Sequence, residues 1–127
     1  MNVGGVPHRT IGWSPDGSVE FIDQIQLPSR FAKATARTVD EMAVAISTMQ
    51  VRGAPLIGVA AAYGLALAMR ADPAGLGTAA AQLIATRPTA VNLKWAVDRV
   101  VGLLDPLPLG QRAARAAAIA DELADAE

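Results

Sequence analysis

The feature that most constrains this fold is a long uncharged run in the middle of the chain, from Ala54 to Met69. The run holds 16 residues, fewer than the roughly 20 that a membrane span needs. Proline is favoured at the first helical position, where its missing amide would be unpaired anyway, so Pro55 predicts a helix that runs to about Arg70. Small residues, among them Gly58 and Gly64, would let other helices approach it closely. We therefore predict a buried central helix.

Start and stop signals predict further helices on both sides of this run. Upstream, Thr38 and Glu41 have the spacing of a capping box, in which the hydroxyl and the carboxylate each pair with a free amide of the first turn. This helix should end near Val51, and its apolar stripe comprises Met42, Ala45, Ile46 and Met49. Downstream, prolines separate three more predicted helices, over residues 78–86, 90–104 and 109–127. The helix over 90–104 is expected to pack through apolar residues that include Val91 and Trp95.

The first part of the chain has an extended pattern. A turn sequence, Ser14-Pro15-Asp16-Gly17, lies between two runs rich in β-branched and aromatic residues, which predicts strand, turn and strand. A third short strand is expected near residues 32–35. The predicted fold class is α+β: a small N-terminal antiparallel β-meander (residues 1–37) followed by a helical bundle (residues 38–127), together one N-terminal domain. The last helix has no glycine cap and ends on acidic residues, so we expect it to be truncated.

Composition narrows the functions open to the chain. Eleven basic residues against twelve acidic ones leave a formal charge of −1, so we expect no surface that binds nucleic acid. There is no cysteine, which excludes disulfides and thiolate chemistry, and the single His8 cannot build a metal site alone. The first residues lack the pattern of a secretory signal, so we expect a cytoplasmic protein with no membrane span.

Two short segments place an arginine immediately before a predicted helix. In the first, Arg52 and Gly53 precede Ala54 and the proline that opens the central helix. The free amides and the positive dipole end of such a helix favour an anion, and phosphate is the natural candidate. A guanidinium can bind phosphate through two parallel hydrogen bonds, which the ammonium of a lysine cannot do.

The second segment begins at Arg87, which precedes a proline and so is expected to be extended at the end of a helix. Thr89 is a candidate cap for the next helix, and Asn92 lies near the same end, where its amide can bind a sugar hydroxyl. The alternative is that both arginines are exposed residues in ordinary loops, and spacing alone does not decide between these interpretations. The remaining candidates are interpreted as structural: core or interface aromatics for Trp13, Tyr63 and Trp95, and solvated helix faces for Asp98-Arg99 and Arg112 to Arg115.

Four segments resemble the methylthioribose-1-phosphate isomerases in order and spacing, over nearly the whole chain. They are Arg9-Thr10-Ile11; Ile22-Asp23-Gln24 with Leu27-Pro28; Val51-Arg52-Gly53-Ala54-Pro55 with Ile57-Gly58-Val59-Ala60-Ala61-Ala62-Tyr63-Gly64; and Arg87-Pro88-Thr89-Ala90-Val91-Asn92-Leu93. Relatives of that family include the alpha, beta and delta subunits of the eukaryotic initiation factor two B exchange factor and sugar-bisphosphate isomerases.

The resemblance implies aldose–ketose isomerisation of 5-methylthioribose 1-phosphate to 5-methylthioribulose 1-phosphate, a step of methionine salvage, by a homodimer without a metal or other cofactor. It implies that substrate is bound by Arg52, Gly53, Ala54 and Arg87, with Thr89 and Asn92 as further candidates. The family's proposed catalytic cysteine and aspartate lie in a Rossmann-like C-terminal domain that this chain lacks. We therefore expect no catalytic residue here and no activity of these residues alone. The expected partners are a sugar phosphate and that missing domain.

Three other functions stay open at this point. The first is a non-catalytic regulatory module like the exchange-factor subunits, and the second is an isomerase of another pentose phosphate, such as 5-deoxyribose 1-phosphate or ribose 1,5-bisphosphate. A free-standing helical interaction protein would explain the alanine-rich composition, but it gives no reason for arginines before two helices.

Overall fold

The computed structural model describes residues 2–3, 6–7, 11–22, 33–48 and 54–125, with the backbone alone described at 2–3, 6–7, 54 and 55. The predictions for His8, Met49, Arg52 and Gly53 therefore lie outside the described residues. The predicted α+β class is confirmed, because short antiparallel strands are followed by helices. No helix in the described part of the chain has the length and apolar character that crossing a membrane requires.

The strands form two small antiparallel sheets. β1 (Asn2–Val3) pairs with β2 (Val6–Pro7). The larger sheet is a meander of β3 (Ile11–Trp13), β4 (Val19–Ile22) and β5 (Lys33–Ala36), in which β4 is central. Val19 of β4 lies opposite Trp13 on one side and Ala36 on the other, so these residues share one face of the sheet. The predicted strand, turn and strand are confirmed, and so is the third strand.

Hydrogen bonds to Asp16 hold the turn between β3 and β4. Its carboxylate accepts from the Ser14 hydroxyl and from both the hydroxyl and the amide of Ser18. These bonds favour the charged form, and they hold the pKa of the Asp16 carboxyl well below its usual range. Gly17 has φ +86°, a conformation that glycine adopts without a steric penalty. The turn predicted from the sequence therefore forms for the expected reasons.

Five helices follow the meander in the described part of the chain. They are α1 (Val39–Ser47), α2 (Ala54–Ala71), α3 (Leu76–Ala85), α4 (Val91–Leu104) and α5 (Leu109–Asp125), with a short 3-10 turn (Pro73–Gly75) between α2 and α3. The predicted bounds of the last four agree to within two residues over the described part. Thr38 caps α1 as predicted, since its hydroxyl accepts from the Glu41 amide at 3.1 Å. The Glu41 carboxylate accepts from the Arg37 amide, one residue before the expected position.

The prediction that the first helix extends to Val51 was wrong, because α1 ends at Ser47. The reason lies in the hydroxyls at its end. The Val44 carbonyl accepts from the Thr48 amide at 2.9 Å and from the Thr48 hydroxyl at 2.7 Å, and the Ser47 hydroxyl also lies 3.1 Å from it. Side chains that bond nearby carbonyls in this way compete with the regular helical pattern.

The core of the domain surrounds α2. This helix contacts each of the other four, and its buried side chains include Tyr63, Leu65 and Met69, each with no exposed surface. A glycine close to its middle, Gly64, lies where an added Cβ would be 3.1 Å from Leu83 of α3. The predicted central helix with small residues at its contacts is confirmed.

Trp13 joins the meander to the helices. Its ring meets the Tyr63 ring edge-on with 5.1 Å between centroids, and the Arg70 guanidinium lies 5.0 Å from its centroid. Arg70 also donates to the Gly17 carbonyl at 2.7 Å, while the Tyr63 hydroxyl bonds Asp121 of α5 at 2.7 Å. The interpretation of Trp13 and Tyr63 as packing residues is confirmed.

Arg112 is a structural residue rather than part of a solvated face, which corrects the prediction from sequence. Its side chain is only 11% exposed. The guanidinium donates to the carbonyls of Leu104 at 3.2 Å, Pro73 at 2.8 Å and Asp105 at 2.9 Å. It therefore binds the end of α4, the 3-10 turn and the start of α5 together.

We predict that Arg112→Lys lowers the free energy of unfolding by about 1–3 kcal/mol, because an ammonium cannot reach three carbonyls at once and leaves partly buried acceptors unpaired. Arg115→Lys is the matched control, since Arg115 lies on the same helix, is 48% exposed and forms one surface ion pair. Its effect should stay within about 0.5 kcal/mol. Urea denaturation of both variants measures the difference, and equal shifts would contradict the assigned role of Arg112.

Candidate functional site

The second turns of α2 and α4 lie against each other. Gly58, in the second turn of α2, faces Ala96 of α4, and an added Cβ on Gly58 would lie 3.0 Å from the Ala96 Cβ. The same Cβ would lie 3.9 Å from the carbonyl oxygen of Asn92, in the first turn of α4. The two helices that follow the arginine-bearing segments of the sequence are thus packed together near their amino-terminal ends.

Arg87 lies in the tight turn between α3 and α4. Its amide bonds the Ile84 carbonyl at 3.3 Å, and its own carbonyl accepts from the Ala90 amide at 2.9 Å. Pro88 in this turn cannot continue a helix, so the chain reverses here before α4 begins. The turn fixes the backbone of Arg87 immediately before the positive end of the α4 dipole.

The Arg87 side chain has a buried nitrogen without an acceptor. Nη1 is fully enclosed, yet no residue in the described ranges accepts a hydrogen bond from it. A buried donor of a charged group that makes no hydrogen bond costs about 1–3 kcal/mol or more. Such a group is uncommon in a folded protein, and it suits a site at which an anionic ligand supplies the acceptor.

The start of α4 has no side-chain cap. The N-cap residue is Ala90, and no described side chain bonds the first amides of the helix. The prediction that Thr89 caps this helix was therefore wrong: Thr89 is exposed in the preceding turn, and the Ala90 amide is already bonded to Arg87. An uncapped helix start leaves its first amides without side-chain partners, and such amides favour binding of an anion.

The other predicted site residues have different positions. Asn92 is exposed in the first turn of α4, close to the contact with α2. Ala54 is the first residue of α2, so a helix does begin directly after Arg52 and Gly53, as predicted. The structure thus brings the starts of α2 and α4 together. Arg52 and Gly53, which precede α2, are not among the described residues.

Neighbouring charges on α4 are paired with each other. Lys94 and Asp98 form an ion pair at 2.6 Å, and the Arg99 guanidinium lies 5.4 Å from the centroid of the Trp95 ring. Among the described residues, no group of three or more His, Asp or Glu side chains is arranged to hold a metal ion. Of the described cations in or next to α4, Arg87 is the one with a buried nitrogen that has no acceptor.

The exposed side of α4 was not foreseen. Val91 is 78% exposed and Trp95 is 61% exposed, so the prediction that they supply the apolar contacts of α4 was wrong for the described part of the chain, while the interpretation of Trp95 as an interface aromatic stays a prediction. The core side of the helix is formed by Leu93, Ala96, Val97, Val100 and Leu104. At 100° per residue, Val91 and Trp95 project roughly opposite to that stripe. The helical spacing of these residues is visible in the sequence, and it separates the core side of α4 from the side that carries Val91 and Trp95.

The comparisons with known proteins agree with the resemblance. The chain is 55% identical to the methylthioribose-1-phosphate isomerase of Methylobacterium nodulans and 57% identical to that of Methylocella silvestris, covering 98% of this chain and 35% of each relative. It thus spans about a third of the length of these curated relatives.

Solved structures share the fold. The crystal structure of 5-methylthioribose 1-phosphate isomerase from Pyrococcus horikoshii superposes with a TM-score of 0.85 and 36% identity, over 95% of this chain and 37% of that one. The translation initiation factor eIF-2B subunit delta from A. fulgidus superposes with a TM-score of 0.84 and 35% identity, over 94% and 37%. The same fold therefore occurs in proteins named as an enzyme and as a factor subunit.

The family model described as the initiation factor 2 subunit family matches residues 50–122, which is more than half of the chain and includes both arginine-bearing segments. The resemblance noted in the sequence is confirmed, and the chain belongs to the initiation factor 2 subunit family.

Proposed function

We propose that these residues are the N-terminal domain of a methylthioribose-1-phosphate isomerase and form one wall of its active site. The reaction is the conversion of 5-methylthioribose 1-phosphate to 5-methylthioribulose 1-phosphate in methionine salvage. The single observation that carries the proposal is the buried Nη1 of Arg87, which has no acceptor among the described residues; Arg87 itself lies in the turn that precedes the uncapped start of α4. A phosphate oxygen would supply the missing acceptor.

The chemistry of the substrate explains why fixed cations are needed. Its anomeric carbon carries a phosphate ester, so the ring cannot open as that of a free aldose does. Negative charge that develops on oxygen during opening needs stabilisation, and preoriented guanidinium and amide donors provide it without reorganisation. In this proposal Arg52, Gly53, Ala54 and Arg87 bind the substrate, with Thr89 and Asn92 as candidates for contacts to the sugar.

The bond-breaking groups are proposed to lie elsewhere in the intact protein. This chain has no cysteine, and its relatives are about three times as long. We assign the catalytic cysteine and aspartate that the resemblance implies to a Rossmann-like domain in the remaining length. The intact protein is proposed to be a cytoplasmic homodimer, and both of these properties stay predictions.

We predict that Arg52→Ala and Arg87→Ala each lower kcat/KM of the full-length protein for 5-methylthioribose 1-phosphate by about 10²–10³-fold, as expected for the loss of one charged donor at a reacting anion. Arg37→Ala is the control, because the Arg37 side chain is 67% exposed and pairs with Asp16 in the meander. A coupled assay for the ketose product measures all three. Equal activity of Arg87→Ala and Arg37→Ala would contradict the proposed role.

The same assay separates the alternatives. Turnover of 5-deoxyribose 1-phosphate or ribose 1,5-bisphosphate, with none of 5-methylthioribose 1-phosphate, would assign the site to another pentose phosphate. A folded protein that turns over none of the three would favour a regulatory module, which the likeness to the eIF-2B delta subunit also supports. Arginines before two packed helix starts favour the enzyme over this alternative.

We predict that the 127-residue chain by itself forms no ketose product from 5-methylthioribose 1-phosphate, because the proposed catalytic pair is not in it. The measurement is the same product assay at high protein concentration, run beside the full-length protein. Product formed by the short chain, and lost in its Arg87→Ala variant, would contradict the assignment of the chemistry to another domain.

We also propose that the exposed apolar side of α4, formed by Val91 and Trp95, packs against the remaining part of the protein. Two large apolar side chains opposite the core stripe give α4 a second apolar side, which is typical of an interface. The matched region covers 35% of the relative's length. We propose that the rest of the intact protein contains the part that covers this side of α4. The Arg99 side chain covers part of the Trp95 ring and leaves its other parts accessible.

We predict that Val91→Ser combined with Trp95→Ser destabilises the full-length protein by about 2–4 kcal/mol, from the loss of two buried apolar side chains. In the 127-residue chain, where both side chains are exposed, the same double substitution should change the free energy of unfolding by less than about 0.5 kcal/mol per site. Val44→Ser is the control, because Val44 is 57% exposed on α1. Unfolding curves for both lengths of chain test this, and equal effects in the two would contradict the proposed interface.

A further inference from the structure

We propose that the groove between α4 and α5 is a docking site for an acidic, partly apolar segment of the rest of the intact protein, and that Arg99 pairs with a carboxylate of that segment. The inference goes beyond the proposed packing of Val91 and Trp95, because it assigns a second surface and the charge of its occupant. It rests on the proposed place of these residues in a longer protein, and it does not depend on the isomerase reaction.

The groove has an apolar floor. It encloses about 330 Å³ between the later turns of α4 and the second half of α5, at the lower end of the range of about 300–1,000 Å³ for binding pockets. Its apolar lining residues are Val100, Leu103, Ile119 and Leu123. Val100 and Ile119 are buried, whereas Leu103 is 45% exposed. Apolar surface is thus open to solvent between two helices that both contact α2.

The groove continues the exposed side of α4. Residues four apart are neighbours on a helix surface, and Val91, Trp95, Arg99 and Leu103 follow one another at this spacing. All but the arginine are large exposed apolar residues. The row turns slowly around the helix, so that its last two members line the groove. A contiguous apolar row of this kind is typical of a surface that another part of a protein covers.

The charged lining residues of the groove are unequal in number. Arg115 and Glu122, both on α5, form an ion pair at 3.5 Å. Arg99 of α4 also lines the groove, and it forms no ion pair within the described ranges. Its guanidinium lies over the Trp95 ring, 5.4 Å from the centroid. The groove therefore has one cation more than it has anions.

This excess of positive charge identifies the chemistry of the occupant. While the groove is open, water solvates the Arg99 guanidinium. An apolar segment that fills the groove displaces part of this water, and a guanidinium that loses water without gaining an acceptor is strongly unfavourable. The segment must therefore bring a carboxylate to Arg99, which a guanidinium can bind through two parallel hydrogen bonds.

The size of the groove favours a segment of the same protein over a separate partner. Seven residues line it, fewer than the roughly 20–30 that each side of a stable interface between separate proteins contributes. A segment of the same chain needs fewer contacts, because its linkage gives it a high effective concentration. The matched region covers only 35% of the Methylobacterium nodulans relative, and we assign the segment to the remaining length of the intact protein.

The first test asks whether Leu103 is covered in the full-length protein. Leu103→Cys and Leu109→Cys are matched, since these leucines are 45% and 50% exposed here and only Leu103 lines the groove. We expect the thiol of Leu103→Cys to react with a maleimide about 10-fold or more slowly, because a thiol reacts only where the reagent reaches it. Mass spectrometry of labelled peptides separates the introduced thiol from other cysteines. Equal rates for the two variants would overturn the proposal.

The second test reverses the charge at Arg99. Arg99→Glu combined with Leu103→Cys should raise the labelling rate to that of Leu109→Cys, because a carboxylate at position 99 repels the carboxylate of the segment. Lys94→Glu is the control, since it makes the same charge change at a residue that is 64% exposed on the same helix. Five residues rotate a helix by one turn and about 140°, so Lys94 lies on the other flank of α4. Equal acceleration by both variants would reject the role of Arg99.

The third test identifies the occupant by cross-linking. In full-length Arg99→Lys, a carbodiimide joins the introduced ammonium to a carboxylate in contact with it. We expect the link to reach an acidic residue beyond the matched region of the same chain. A link between isotopically labelled and unlabelled chains would indicate a second copy, and a link to Glu122 alone would show that no outside carboxylate reaches position 99. Either result would overturn the proposal, as would the absence of any link.

None of these readouts measures turnover, so they separate this inference from the proposed function. A covered Leu103 in a protein that isomerises no sugar phosphate would reject the isomerase and support the docking groove. Isomerase activity in a protein whose Leu103→Cys thiol reacts freely would support the proposed function and reject the groove as a docking site.

Discussion

The burial of α2 is the constraint on which the rest of the structure depends. Residues 54–69 of this helix are uncharged and apolar on all sides, which favours a buried position, and the other four described helices all contact α2. The glycines on α2 decide how closely each neighbour approaches, since Gly58 faces α4 and Gly64 faces α3 and α1. The distances at which α1, α3 and α4 approach α2 therefore depend on these two glycines.

Polar side chains around this core connect its elements through hydrogen bonds, and Arg87 differs from them in its hydrogen bonding. Arg112 donates to three carbonyls, Arg70 bonds the Gly17 carbonyl beneath the Trp13 ring, and the Tyr63 hydroxyl bonds Asp121. Each of these donors has an acceptor on another element or turn of the fold. Arg87 has a buried nitrogen without one among the described residues, and this contrast makes it the strongest candidate for a ligand contact.

The family includes proteins that are named as isomerases and as factor subunits, and both share this fold. In our proposal the pair of packed helix starts presents an anion-binding surface without supplying the reacting groups, and such a surface can serve either group. The chemistry would then be decided by the residues that surround this surface in the intact protein. The exposed side of α4 is the surface through which we propose that the remaining chain reaches it.

Sequence patterns alone determined the order and approximate bounds of the elements, because capping residues, prolines and apolar periodicity act within a few residues of one another. They placed the Asp16 turn, the Thr38 cap and the central helix, and they selected Arg87 from its neighbours. They misplaced the end of α1, where the hydroxyls of Ser47 and Thr48 bond a carbonyl within the same helix.

Only the tertiary structure decided how distant segments meet. The hydrogen bond from Arg112 to the Pro73 carbonyl and the contact of Gly58 with Ala96 join parts of the chain that are far apart in sequence. Such contacts depend on how whole helices pack, and local sequence signals do not encode which faces meet. The two arginine-bearing segments were readable in the sequence, but the packing of the helices that follow them was decided by the fold, because it depends on the absence of one methyl group at Gly58.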